Sequence, residues 1–278
     1  MTIAMAWVGQ RKDGRKHLYV ASDSRTRGGM VIDSSPKILP LPRSDCAICF
    51  AGDTAATYPL MFQLANAIAA HLPAKERSLD IGTLKPHLLR VFTDIVKNIT
   101  DISVELKPKD VQFLFCGYSW LSKSFKIWTI YYSEKGKMFA ARPARNLHLM
   151  MGQVAFIGDV AKEARADLIK RLNSYEDNQP KHFELEPFKV LRDMLRTAGP
   201  DSSIGGAPQL IRIGEHMNTR ILGVKWSNQT ESYTTVMGRR IFDYENTDNM
   251  TMDPDTFQYF RPRSFGCRED DVEVNGEK

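Results

Sequence analysis

The sequence predicts an α+β protein in which helices cover sheets. Short apolar stretches of strand length occur near the N-terminus, in the middle and towards the C-terminus. Two pairs of helical apolar stripes separate them, so the order is strands, two helices, strands, two helices, strands. The chain has 278 residues, 42% of them apolar, enough to bury a sizeable core. Two helical layers around two sheets would bury all these faces, and so would three layers.

The first strand is read over Ile3, Ala4, Met5, Ala6, Trp7 and Val8, and the second over Leu18 to Ala21. Between them Asp13-Gly14 is a hairpin signal. Met30 to Asp33 is extended, Ser34-Ser35-Pro36 interrupts, and Lys37-Ile38-Leu39 follows. Cys46 to Ala51 reads as a buried strand closed by Gly52-Asp53. Leu60, Met61, Leu64, Ala67, Ile68 and Leu72 form a helical stripe that starts near Pro59, a residue best tolerated in a first turn. Thr83 is the expected N-cap of a second helix, with Leu84, Leu88, Val91, Phe92, Ile95 and Ile99 on one face.

Strands return at Val111 to Cys116, Phe125 to Tyr132, Lys137 to Ala141 and Val154 to Ile157. After Gly158-Asp159 a helix carries Val160, Ala161, Ala164, Leu168 and Leu172 on one face, and a polar loop covers Asn173 to His182. Another helix runs from about Pro187, with Phe188, Leu191 and Leu195 inward, to Gly199-Pro200. Gln209 to Ile213, Ile221 to Trp226 and Tyr233 to Met237 complete the strands. Beyond Gly238 the period fades. Residues 1–238 are read as one domain and 239–278 as an extension that wraps it or a neighbour through Phe242, Tyr244, Phe257, Tyr259, Phe260 and Phe265, with a disordered acidic end.

The formal net charge of +5 demands no nucleic-acid footprint. No apolar run is long enough to cross a bilayer and no leader pattern is read, so a cytoplasmic protein is expected, with no membrane partner. Cys46, Cys49 and Cys116 lie in apolar runs, and with Cys267 they suggest no secreted disulfide framework. Cys46 and Cys49 have the spacing of a zinc knuckle, but on a strand residues i and i+3 face opposite sides. Core packing is the expectation for them, and neither a metal nor a cofactor is expected.

The first hairpin carries the candidate chemistry. Its open end would set Thr2 beside Asp23, so a hydroxyl that becomes N-terminal on loss of Met1 meets a fixed carboxylate. That is the geometry of an N-terminal threonine nucleophile, whose own amine, with a reference pKa of about 7.7–8.0, takes the hydroxyl proton. Taken singly, Thr2 is an ordinary second residue, Asp23 an ordinary turn aspartate and Lys37 an ordinary surface lysine.

Thr2, Ala21-Ser22-Asp23-Ser24-Arg25, Lys37, Phe50-Ala51-Gly52 and Asp201-Ser202-Ser203-Ile204-Gly205-Gly206 come in the order and rough spacing of proteasome β-type subunits, and the likeness spans roughly residues 2–240. The chain resembles this N-terminal-nucleophile hydrolase family, which includes the bacterial two-component proteasome-like protease. The resemblance implies a four-layer αββα sandwich. It implies Thr2 as nucleophile, Asp23 orienting the amine and the lysine, and Lys37 lowering the pKa of the Thr2 hydroxyl. It assigns the oxyanion donor to the Gly52 N–H, support of the amine to the motif of Asp201 and Gly205-Gly206, where the glycines permit close backbone approach, and a structural place to Arg25.

In two places the sequence leaves the family pattern. A serine is usual in the turn where Asp159 stands, and another is usual where Ile204 stands. Asp159 either caps its helix or faces the Thr2 amine. Two functions follow as expectations. One is a threonine-dependent peptidase or amidase in a homo-oligomeric ring, acting on peptide or protein substrates and served by an ATPase or unfoldase partner. The other is an inactive subunit with a structural or regulatory place in such a ring.

Overall fold

The computed structural model describes residues 2–11, 14–28, 30–99, 110–147, 152–174, 183–227 and 231–261. Met1, Asp13, Phe265, Cys267, the acidic C-terminus and most of the polar loop before His182 lie outside these residues.

The chain opens with β1 (Ile3–Gln10) and β2 (Lys16–Ser22), paired antiparallel from Ala4↔Ser22 to Gln10↔Lys16. Gly14, at φ +84, turns the chain between them, and its N–H donates to Arg11 O at 3.0 Å. The pair β3 (Thr26–Arg27) and β4 (Val31–Ile32) follows, then β5 (Ile38–Pro40) and β6 (Cys46–Ala51). Helices α1 (Thr54–Ala70), α2 (Leu72–Lys75) and α3 (Ile81–Lys97) come next. Asp53 caps α1 by accepting from the N–H groups of Ala55 and Ala56, so α1 starts earlier than the position of Pro59 suggests. Asp80, and not Thr83, caps α3, accepting from Gly82 N–H at 2.8 Å.

Then come β7 (Gln112–Ser119), β8 (Ser124–Ser133), β9 (Met138–Pro143), β10 (Arg145–Asn146) and β11 (Gln153–Gly158). Helices α4 (Ala161–Ser174) and α5 (Glu186–Thr197) precede β12 (Gln209–Gly214), β13 (Thr219–Ser227) and β14 (Ser232–Val236). Three short strands, β15 (Arg239–Arg240), β16 (Thr251–Met252) and β17 (Tyr259–Phe260), end the described chain. No helix among the described residues is long and apolar enough to cross a membrane.

The expected four-layer αββα sandwich is corrected. The molecule is mostly β-sheet, 37% strand against 28% helix, with three sheets and five helices among the described residues. One sheet has ten strands in the path β10-β11-β1-β2-β12-β13-β14-β15, with β16 beside β13 and β17 on β16. A second has five, β5-β6-β7-β8-β9, and β3-β4 form a third of their own. Most of the unforeseen strands are two residues long. Such pieces hold by pairing with a formed edge and leave no periodic mark in the sequence.

Three apolar clusters hold the elements together. Trp7, Tyr19 and Leu210 of the large sheet pack with Leu168 of α4 and Phe188 and Leu191 of α5. Ile48, Phe113 and Phe115 pack with Leu64 of α1 and Leu88 and Phe92 of α3. The third cluster joins the two large sheets through Ala4, Ala6 and Val20 on one side and Ala47, Cys49 and Leu114 on the other. Cys46 and Cys49 fall in different clusters, as opposite faces of one strand require.

The segment after Gly238 docks on this frame. β16 runs parallel to β13, Arg192 Nη1 donates to Pro254 O at 2.7 Å, and Arg196 forks onto Asp255 with both contacts at 2.6 Å. Phe257 and Tyr259 pack against the cluster under α4 and α5, whereas Phe242 and Tyr244 stack on each other in the open.

Candidate active site

The site stands at one end of β1, where three strands of the large sheet meet. Ile3 pairs with Gly158 of β11 on one side, and Ala4 with Ser22 of β2 on the other. Thr2 therefore lies between the residues that follow those two strands, Asp159 and Asp23. Asp159 N–H donates to Thr2 O at 3.0 Å, and Thr2 N–H donates to Asp159 Oδ2 at 2.8 Å. Gly158, at φ +105, permits this approach, because a Cβ there would run into the Thr2 carbonyl.

Asp23 is held from all sides. Its N–H donates to Ile3 O at 3.2 Å. Oδ1 accepts from Ile3 N–H at 3.1 Å and Lys37 Nζ at 2.7 Å, and Oδ2 accepts from Arg25 N–H at 3.1 Å and Gly205 N–H at 3.2 Å. Lys37 Nζ also donates to Thr2 Oγ1 at 2.6 Å. Thr2 is 1% exposed, and Asp23 and Lys37 are 0% exposed. Burial pushes the Lys37 pKa below its ordinary value, and Asp23 only partly offsets this. Burial pushes Asp23 upward, against the pull of Lys37 and of the Ile3 and Gly205 N–H groups.

Lys37 itself comes from the other large sheet. It immediately precedes β5, and its carbonyl accepts from Phe50 N–H on β6 at 3.2 Å. The side chain thus reaches across the gap between the sheets to Thr2 Oγ1.

Thr2, Asp23, Lys37 and Asp159 are brought together by direct hydrogen bonds. Gly52 and Asp201 are not joined to them. Gly52 ends the run of β6 at φ +125, and its N–H has no acceptor among the described residues. A Cβ there would lie 2.6 Å from Asp110 O, so glycine is required for packing whatever its N–H does. Asp201 is exposed and makes no hydrogen bond to this group among the described residues. Gly205 of the same late motif does reach the group, and its N–H donates to Asp23. Ile204, where a serine was expected, is 3% exposed and packs into the core.

Arg25 organises that turn. Its guanidinium forks onto Asp33 at 2.6 and 2.8 Å, and Nη1 donates to the carbonyls of Gly199, Pro200 and Ser202. Gly205 has to lack a side chain, since a Cβ would meet the Arg25 guanidinium.

Sequence reasoning passed over three neighbours. Ser22 Oγ donates to Ile3 O at 2.9 Å. Cys49 is buried close enough to Lys37 and Asp23 to feel both charges, and burial pushes its thiol pKa up to about 12. Gln209 is fully buried at the start of β12 and bonds to the segments that carry both Asp23 and Lys37. A lone glutamine before an apolar run reads as a strand boundary, so the only signal available pointed to the wrong role.

What the arrangement can do is chemically definite. A buried ammonium 2.6 Å from a threonine hydroxyl favours its alkoxide, and a lysine with a lowered pKa can also take up its proton. Among the described residues no group of three or more His, Cys, Asp or Glu side chains could hold a metal ion. No family model matches the chain, and no curated protein matches it.

Proposed function

We propose that this chain is a threonine-type hydrolase of amide or peptide bonds, of the proteasome β-subunit-like kind. The observation that carries the reading is Lys37 Nζ bridging Thr2 Oγ1 and Asp23 Oδ1 at 2.6 and 2.7 Å, with all three side chains buried. Once the chain is cut immediately before Thr2, its Oγ1 attacks the substrate carbonyl. The proton passes to the Thr2 amine, and Lys37 offsets the charge that builds on the oxygen. The Gly52 N–H is the candidate donor to the oxyanion. The leaving amine departs protonated, and water then hydrolyses the threonyl ester and restores Oγ1. In this reading the protein is cytoplasmic and assembles into a ring that encloses its sites, with an ATPase or unfoldase feeding it polypeptide.

A second reading rests on Asp159. It stands where the resembled family has a serine, and a chain never cut before Thr2 lacks the free amine that would act as base and is a non-catalytic ring subunit.

Intact mass, sedimentation and turnover of a fluorogenic peptide series test the two together. The hydrolase reading expects a chain beginning at Thr2, an oligomer, and turnover abolished by Thr2→Ala with an unchanged circular dichroism spectrum. Undiminished turnover in that variant sinks it. An uncut, inactive oligomer favours the second reading, and a monomer at micromolar concentration removes the ring from both.

A further inference from the structure

Lys37 is carried on backbone that belongs to no strand. Its carbonyl accepts from Phe50 N–H of β6 and Ser35 N–H donates to Ser24 O, but Ser35, Pro36 and Lys37 lie between β4 and β5, and Pro36 has no N–H to offer. The side chain of Gln209, from β12 in the other sheet, stands where a neighbouring strand would. Its Oε1 accepts from Lys37 N–H at 2.9 Å and, more weakly, from Ile38 N–H at 3.4 Å. Its Nε2 donates to Ser35 O at 2.7 Å, with longer contacts to Ser24 Oγ at 3.3 Å and Asp23 O at 3.4 Å. The two short bonds grip the backbone on either side of Pro36. The longer ones reach the strand end that presents Asp23.

We propose that Gln209 is a positioning residue for the reaction, fixing the backbone of Lys37 so that Nζ meets Thr2 Oγ1; this rests on the hydrolase reading above. Gln209 does not touch Thr2 Oγ1 and acts chiefly through the backbone that carries Lys37, to which its shortest bonds run. Its amide is spent on both sides, which no aliphatic or carboxylate side chain of that length reproduces. A displacement of Lys37 by about 1 Å is enough to cost about a hundredfold in rate.

The test uses Gln209→Met, which keeps the length and removes both polar ends, and Gln209→Glu, which keeps the acceptor and loses the donor to Ser35. Peptide turnover is measured with the pH titration of the Lys37 ε-carbon by NMR. The groups facing that ammonium are Asp23, Asp159, Cys49 and the Thr2 hydroxyl. In Gln209→Met, kcat should fall about 10- to 100-fold with KM within about twofold of the parent, and the Lys37 titration should move. On a Lys37→Met background the same change should cost little further, because the residue it positions is gone. If Gln209→Met does not fold, the Glu variant carries both readouts. A parent that turns over no peptide removes the hydrolase reading, and the Lys37 titration alone then decides whether Gln209 sets its place. An unmoved Lys37 titration overturns the proposal, whatever happens to kcat.

Discussion

Lys37 Nζ lies 2.6 Å from Thr2 Oγ1, although the two residues immediately precede strands of different sheets and neither is open to solvent. The ammonium is as much a partner of Asp23 as of the threonine, so its removal has a cost in stability as well as in chemistry. Lys37→Met leaves the Asp23 carboxylate buried with only N–H donors, and should destabilise the fold by about 3–5 kcal/mol in urea titration. Adding Asp23→Asn should recover part of that loss, since the uncompensated charge disappears. A cost below about 1 kcal/mol for Lys37→Met would mean that the pair is held neutral.

Asp159 tests the departure from the family pattern. Its carboxylate is 2.8 Å from the Thr2 nitrogen and would favour the ammonium once that nitrogen is a free amine. In the proposed mechanism the amine has to be neutral to accept a proton, so a carboxylate there would move the acid limb of the pH–rate profile to higher pH. Asp159→Asn and Asp159→Ser should bring that limb down by about one pH unit. If both variants keep the parent's acid limb, the carboxylate has no part in the proton transfer and only tethers the chain.

Gly158 and Gly14 make a matched pair, both at positive φ, at +105 and +84. A Cβ on Gly14 meets nothing within 4 Å, whereas one on Gly158 collides with the Thr2 carbonyl. Gly14→Ala should cost about 1–2 kcal/mol from backbone strain alone. Gly158→Ala should cost more, at least about 3 kcal/mol, and should also depress kcat because Thr2 has to shift. Equal costs in thermal unfolding would show that Thr2 moves aside freely.

Arg25 and Asp33 give a pH signature. The Arg25 guanidinium holds the Asp33 carboxyl below the usual carboxylate range. The unfolded chain therefore binds the proton more readily. The stability this pair adds is complete above the ordinary aspartate pKa, and is lost as pH falls through the folded one. Asp33→Asn should flatten the acid limb of a stability–pH curve, modestly, since Asp33 is half exposed. Arg25→Lys should cost about 2 kcal/mol, because a single ammonium cannot serve Asp33 and three carbonyls together. Hydrogen exchange at Gly205 N–H should quicken in that variant, and exchange at the parent rate would detach Arg25 from the turn that reaches Asp23.

Where the physics is local, the chain could be read directly. The continuous apolar run of Ile3 to Val8 and the short run from Leu18 define two strands, and a turn near Gly14 brings Thr2 and Asp23 to the same end. The stripes of α1, α3, α4 and α5 follow from spacing alone. Caps were less legible: Thr83 and Asp80 are both good capping residues three positions apart, and which one serves depends on where Ser119 and Leu121 meet the loop.

By itself, then, the sequence determined the hairpin that presents Thr2 and Asp23, the main helices and most long strands, and the burial of its strand cysteines. Only tertiary structure decided that these elements make a mostly β molecule of three sheets, that Lys37 crosses between two of them, that Gln209 stands in for an absent strand, and that Asp201 stays outside while Gly205 reaches in. The reason is the range of the interactions. Periodicity and turn chemistry act over a few residues and are written in neighbouring letters. The bonds Lys37–Thr2, Gln209–Lys37 and Gly205–Asp23 span 35, 172 and 182 residues, and exist only once the sheets have packed.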